Sequence, residues 1–152
     1  MGLDMYLNAE RFVSGYVVEG DDERAEKIKE LFPELASGVI RKVSAEVGYW
    51  RKANAIHNWF VQNVQNGVDD CGTYYVERKK LQELLNLVDL VLSKKGKRKT
   101  IAKAVLPPTS GFFFGGTDID EYYYEDMKNT KTILENALKL QDNLDLYYHS
   151  SW

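Results

Sequence analysis

A chain of 152 residues and 17.5 kDa with a net charge of −3 suits one domain around a single core, and 44% hydrophobic with 28% charged residues excludes a disordered or fibrous chain. The acidic balance argues against a dedicated binder of long nucleic acid, which relies on a broad basic face. The single cysteine, Cys71, leaves no internal disulfide and points to a reducing, cytoplasmic setting; the chain shows neither a signal-peptide pattern nor the ~20 apolar residues of a membrane span.

In chain order, Leu3, Met5 and Leu7 alternate with Asp4, Tyr6 and Asn8, which predicts a first strand. Asp21, Asp22 and Glu23 then lead a periodic stretch through Ile28, Leu31 and Phe32 with Pro33 behind it, a surface helix with acids at its positive end. Between residues 39 and 49, Val43, Ala45, Val47 and Tyr49 face one way while Lys42, Ser44 and Glu46 face the other, a second strand. A helix is expected over residues 51–66, stopped by Gly67, followed by a short strand over 73–76. Leu81, Leu84, Leu85, Val88, Val91 and Leu92 recur at helical spacing.

A basic run over residues 94–99 leads to Pro107 and Pro108, and residues 110–117 set Phe112, Phe113 and Phe114 between glycines, a strand or extended loop. Asp118 and Glu121 resemble a capping box that opens a long helix through Met127, Ile133, Leu134, Ala137, Leu140 and Leu144. The tail over residues 146–152 is too aromatic for a free end and is expected to dock as a strand. Residues 1–152 therefore form one α+β domain, a small antiparallel or mixed sheet packed by three to five helices.

Chemistry concentrates in a few segments. Residues 53–68 contain no Asp, Glu, Lys or Arg, and on a helix Arg51, Asn54, Asn58, Gln62 and Gln65 form a stripe apart from the apolar arc. Amides in a row suit a polar neutral partner, since each offers donors and acceptors; packing on another element or on a second copy of the chain is the alternative. His57, near Trp50 and Asn54, is either an acid, base or phosphate ligand, or a buried ring satisfied by one hydrogen bond. Cys71 would pair with His57 in a nucleophilic site, but Asp69 and Asp70 beside it disfavour a thiolate.

No P-loop, Rossmann glycine pattern or His/Cys ligand spacing occurs, so no cofactor or metal is expected. Gly115, Gly116 and Thr117 resemble an anion cradle, yet the five acids over residues 118–126 would repel phosphate. Arg51, Lys52 and the basic run over 94–99 are better phosphate ligands. Ten tyrosines, six phenylalanines and three tryptophans add contact surface, much of it beside glycines, amides or acids.

The segments Met-Gly-Leu-Asp-Met-Tyr-Leu (1–7), Trp-Arg-Lys-Ala-Asn-Ala-Ile-His-Asn-Trp-Phe-Val (50–61), Asp-Asp-Cys-Gly (69–72), Ser-Gly-Phe-Phe-Phe-Gly (110–115) and Ser-Ser-Trp (150–152) together resemble a group of small phage and prophage proteins of unsettled function. That resemblance implies a protein acting in the host cytoplasm. Small phage proteins without a catalytic signature are similar in role to counter-defence factors, which sequester a host immune nucleotide or plug a host enzyme. Sequestration would draw on Trp50, Arg51, Asn54, His57, Asn58, Phe113, Thr117 and Trp152 for a nucleotide-type ligand. Plugging a host protein would use the acidic segment over 118–126 with Tyr122, Tyr123 and Tyr124. A hydrolase or transferase using His57 and Cys71 is the third class.

Overall fold

The computed structural model describes residues 2–94 and 96–152; Lys95 of the basic run lies outside the described residues. Strands β1 (Asp4–Phe12), β2 (Lys42–Arg51), β3 (Thr73–Tyr75) and β4 (Asp145–Ser151) form one antiparallel sheet in the order β2-β1-β4-β3. Helices α1 (Asp21–Leu31), α2 (Asn54–Asn63), α3 (Arg78–Ser93), α4 (Arg98–Val105) and α5 (Glu121–Leu138) complete an α+β domain. No described helix is long and apolar enough to cross a membrane.

The alternation of β1 buries Leu3, Met5, Leu7 and Ala9 beneath one cluster that includes Ile56 and Phe60 of α2, Leu81, Leu84 and Val88 of α3, Ala102 of α4, and Met127 and Leu134 of α5. The aromatic tail does dock as a strand, in the sheet interior between β1 and β3. Its inward residues explain the placement: Leu146 and Tyr148 are buried, and the Tyr148 ring stacks on Phe60 at 3.9 Å.

Strand β2 departs from a single alternation. Pairing runs from Leu7 opposite Gly48 to Asn8 opposite Glu46, so Val47 is an extra residue in a β-bulge. The insertion flips every later side chain: Gly48 and Trp50 face the core, while Tyr49, expected with Val43 and Ala45, stands on the opposite face beside Tyr6. At Gly48 a Cβ would lie 2.4 Å from Ile133, so only glycine lets α5 approach β2 this closely.

Two helix starts also differ from expectation. Helix α2 begins at Asn54 because Arg51 still pairs with Asp4 in the sheet and Lys52 turns the chain at a left-handed φ of 58°. Helix α5 is capped by Asp120, whose Oδ1 accepts from the Tyr123 N–H at 3.1 Å; Ile119 just before it is buried, so Asp118 belongs to the approach and does not cap.

Residues 13–41 form an arm between β1 and β2. Its anchor is Asp21, fully buried, which accepts from both terminal nitrogens of Arg11, from the Ser14 N–H and from Arg24. Those donors, Arg11 foremost, hold its carboxyl well below the usual carboxylate range.

Candidate functional site

The turn from β2 into α2, the loop over residues 109–118 and the first turns of α5 enclose a cleft of about 380 Å³. One wall carries Arg51, Lys52 and the start of α2. No side chain caps that helix, and the Asn54 N–H already bonds the Lys52 carbonyl, so the Ala55 and Ile56 N–H groups, whose residues line the cleft, have no intrahelical acceptor. The other wall carries Asp118, Asp120, Tyr122, Glu125 and Asp126. Tyr122 is 81% exposed and its ring is free to cover a ligand, whereas buried Tyr123 donates its hydroxyl to the Leu106 carbonyl.

Asn54 holds the two walls together. Its side-chain NH₂ donates to the Phe114 and Gly116 carbonyls at 3.0 and 2.9 Å, and its oxygen accepts from the Thr109 N–H at 3.0 Å. One amide thereby closes the loop over residues 109–116 against α2, with three of its four hydrogen-bonding positions occupied.

Burial, with a smaller contribution from Asp120, pushes the Asp126 carboxyl up to about 6. A carboxyl raised above its unfolded value adds stability that is fully present below about pH 4 and is lost as pH rises through 6. The Asp126→Asn variant is therefore expected to unfold at a higher temperature than the parent at pH 8 and at nearly the same temperature at pH 4. Thermal melts at the two pH values check this, and a variant that is less stable at pH 8 would contradict it.

Other sequence candidates lie elsewhere. Trp50 is buried in the core and donates its indole N–H to Thr130 Oγ1 at 2.9 Å, which leaves no ring surface for a ligand. His57 is fully buried: Nδ1 lies 2.7 Å from the Tyr148 hydroxyl and Nε2 3.0 Å from Asp69 Oδ2. Burial raises the Tyr148 phenol well above its usual range, so the hydroxyl beside Nδ1 keeps its proton, while the Asp69 carboxylate occupies Nε2. Asp69 Oδ1 in turn accepts the indole N–H of Trp152 at 3.0 Å. With both ring nitrogens engaged and Cys71 exposed on the surface, His57 is a satisfied buried histidine.

Phe114, next to the expected Phe113, packs edge-on against His57 and Trp152 at 5.1 and 6.1 Å. Phe113 turns outward at a φ of 68° and pairs with Phe112. Thr117 and half-buried Asn58 stand outside the cleft lining, so of the residues anticipated for the ligand only Arg51 and Asn54 reach it. The amide stripe dissolves as well: Arg51 is in a strand, Asn54 and Gln65 are buried, and Gln65 donates to the Val68 carbonyl. Of the three tyrosines proposed for a protein-binding face, Tyr123 is buried and Tyr124 half-buried under the Arg98 guanidinium. Asp120, Asp126 and Tyr122 were visible as an acidic aromatic run; their place opposite Arg51 was not.

Comparison with family models, curated proteins and solved structures finds no match to this chain.

Proposed function

We propose that the protein binds a small polar ligand of nucleotide type in this cleft without turning it over, in keeping with a phage-encoded factor that sequesters a host signal. The observation that carries this reading is the opposition of two unlike walls across about 380 Å³. Arg51 and Lys52 suit a phosphate, the Asp118, Asp120 and Glu125 carboxylates suit ribose hydroxyls or a ring amine, and Tyr122 offers a stacking face. The volume stands at the low end of ligand pockets, roughly 300–1,000 Å³, which favours a mononucleotide-sized molecule or one end of a larger one.

Calorimetry against nucleoside phosphates, ADP-ribose derivatives and cyclic dinucleotides is the direct test. A charge-assisted hydrogen bond is worth about 1.5–3 kcal/mol, so Arg51→Ala is expected to weaken binding roughly 10- to 100-fold. A flat response across the panel would overturn the proposal. Burial pushes the Asp126 carboxyl up to about 6, so the charge it gains between pH 5 and 7 should repel the ligand's phosphate and lower affinity for a cyclic mononucleotide, whose own charge is constant in this range. Asp126→Asn should flatten that profile.

One observation favours an enzyme as the second reading: a carboxyl poised near pH 6 inside a cleft is suited to general acid–base work. That reading moves the chemistry from His57 and Cys71 to Asp126. Ligand recovered intact after long incubation supports binding alone; products that vanish with Asp126→Asn support turnover.

A further inference from the structure

The cleft's charged groups differ in number and in how far the protein itself engages them. Its two bases, Arg51 and Lys52, lie together over Gly2: a Cβ there would come within 3.2 Å of Lys52 Cε and 3.8 Å of Arg51 Nη2. Behind its head the Lys52 stem rests on Gly115, where a Cβ would lie 3.4 Å from Lys52 Cβ. Asp4, opposite Arg51 in the sheet, accepts instead from the Tyr49 hydroxyl. Both cationic heads thus meet in one place, which serves one anionic group and not a string of them.

The acidic wall is the larger charge. Glu125 is paired with Lys128 at 2.7 Å, and Asp120 gives Oδ1 to the cap of α5. None of Arg51, Lys52, Asp118, Asp120 and Asp126 makes an ion pair among the described residues. With its carboxyl pushed up to about 6 by burial, Asp126 is ionised above neutral pH. Asp118, Asp120 and Asp126 then outnumber Arg51 and Lys52, and the cleft is net negative. One phosphate charge held by both bases is accommodated there; each further charge on a ligand would lie among carboxylates well inside the ~8 Å over which salt screens. On the nucleotide reading of the cleft, on which this inference rests, we propose that the site selects a phosphate diester of single negative charge, as in a nucleoside cyclic monophosphate, and rejects phosphate monoesters and polyphosphates. Asp118 and Asp120 accept hydrogen bonds from neutral ribose hydroxyls and repel a second or third phosphate charge, so one wall both attracts and excludes.

Calorimetry of the full chain at about pH 7.5 with cyclic AMP, AMP, ADP and ATP, and with the matching guanine series, tests the selection. Affinity should fall with each added charge, and ATP should bind roughly tenfold or more weakly than cyclic AMP. Raising the salt from about 0.05 to 0.5 M should narrow that gap, because screening shortens the reach of the carboxylates. A cyclic dinucleotide presents the same diester from a larger molecule; whichever of the two cyclic ligands binds tighter is the source of the diester. Asp118→Asn/Asp120→Asn keeps the α5 cap, since asparagine caps as well as aspartate, and its ATP affinity should rise roughly fivefold relative to cyclic AMP. ATP bound by the parent as tightly as cyclic AMP, or a double variant that discriminates as sharply as the parent, overturns the single-charge selection and leaves nucleotide binding standing. Failure of every nucleotide to bind overturns both.

Discussion

Replacing His57 with alanine is expected to cost the fold about 3–5 kcal/mol, through a core cavity and the buried Tyr148 hydroxyl left without its partner. Tyr148 and Asp69 would each lose a hydrogen-bond partner, and Phe114 would lose the ring it packs against. Two milder variants divide that cost. Tyr148→Phe removes only the hydroxyl and should cost about 1–2 kcal/mol, with the stack on Phe60 preserved. Trp152→Phe leaves one Asp69 oxygen to solvent and should cost less still. Urea unfolding measures all three. His57 does not line the cleft, so ligand affinity in the folded fraction of His57→Ala should match the parent. Native stability with lost binding or turnover would make His57 a functional residue after all.

The second large effect is expected at Asn54. Its three hydrogen bonds to Thr109, Phe114 and Gly116 contribute about 1 kcal/mol each, so Asn54→Ala should lower stability by roughly 3 kcal/mol. Function should suffer more. Once the stitch is cut, the loop that carries Gly115 and Gly116 no longer holds the cleft wall, and affinity should drop at least tenfold. Backbone hydrogen exchange over residues 109–116 should speed up in the same variant.

Asn54→Asp separates stitching from helix electrostatics. A carboxylate in the first turn of α2 is favourable to the helix dipole, and it still accepts from Thr109. It would nevertheless confront the Phe114 and Gly116 carbonyls with oxygen in place of NH₂. If the stitch is what matters, aspartate should be no better than alanine. Recovery of parental stability and affinity in Asn54→Asp would show that the helix end, and not the loop closure, is what Asn54 serves.

Legibility in the sequence tracks how local the cause is. Leu81, Leu84, Leu85, Val88 and Val91 announce a helix because 3.6-residue spacing puts them on one face, and all five are buried where that face meets the core. Leu3, Met5 and Leu7 announce a strand for the same kind of reason, and the aromatic tail had to find cover because so much ring surface is costly in water. The bulge at Val47 was not legible, since an extra residue is chosen by the register of the partner strand and the close passage of α5 over Gly48. Nor was the start of α2, which depends on Asp4 across the sheet holding Arg51 in a strand.

The same division governs the site. Residue types alone marked residues 53–68 and 110–126 as chemically unusual, because a charge-free amide run and an acidic aromatic run are each odd within their own few turns of chain. Only the tertiary structure decided what each side chain does. Asn54 and His57 were drawn inward to satisfy backbone and side-chain groups that the chain brings from 55 to 91 residues away, while Arg51 and Asp126 were left to line an open cleft. Sequence by itself determined an α+β domain and the two segments worth watching; burial, which depends on every other element arriving, decided which of their polar groups are already engaged and which stay open to the cleft.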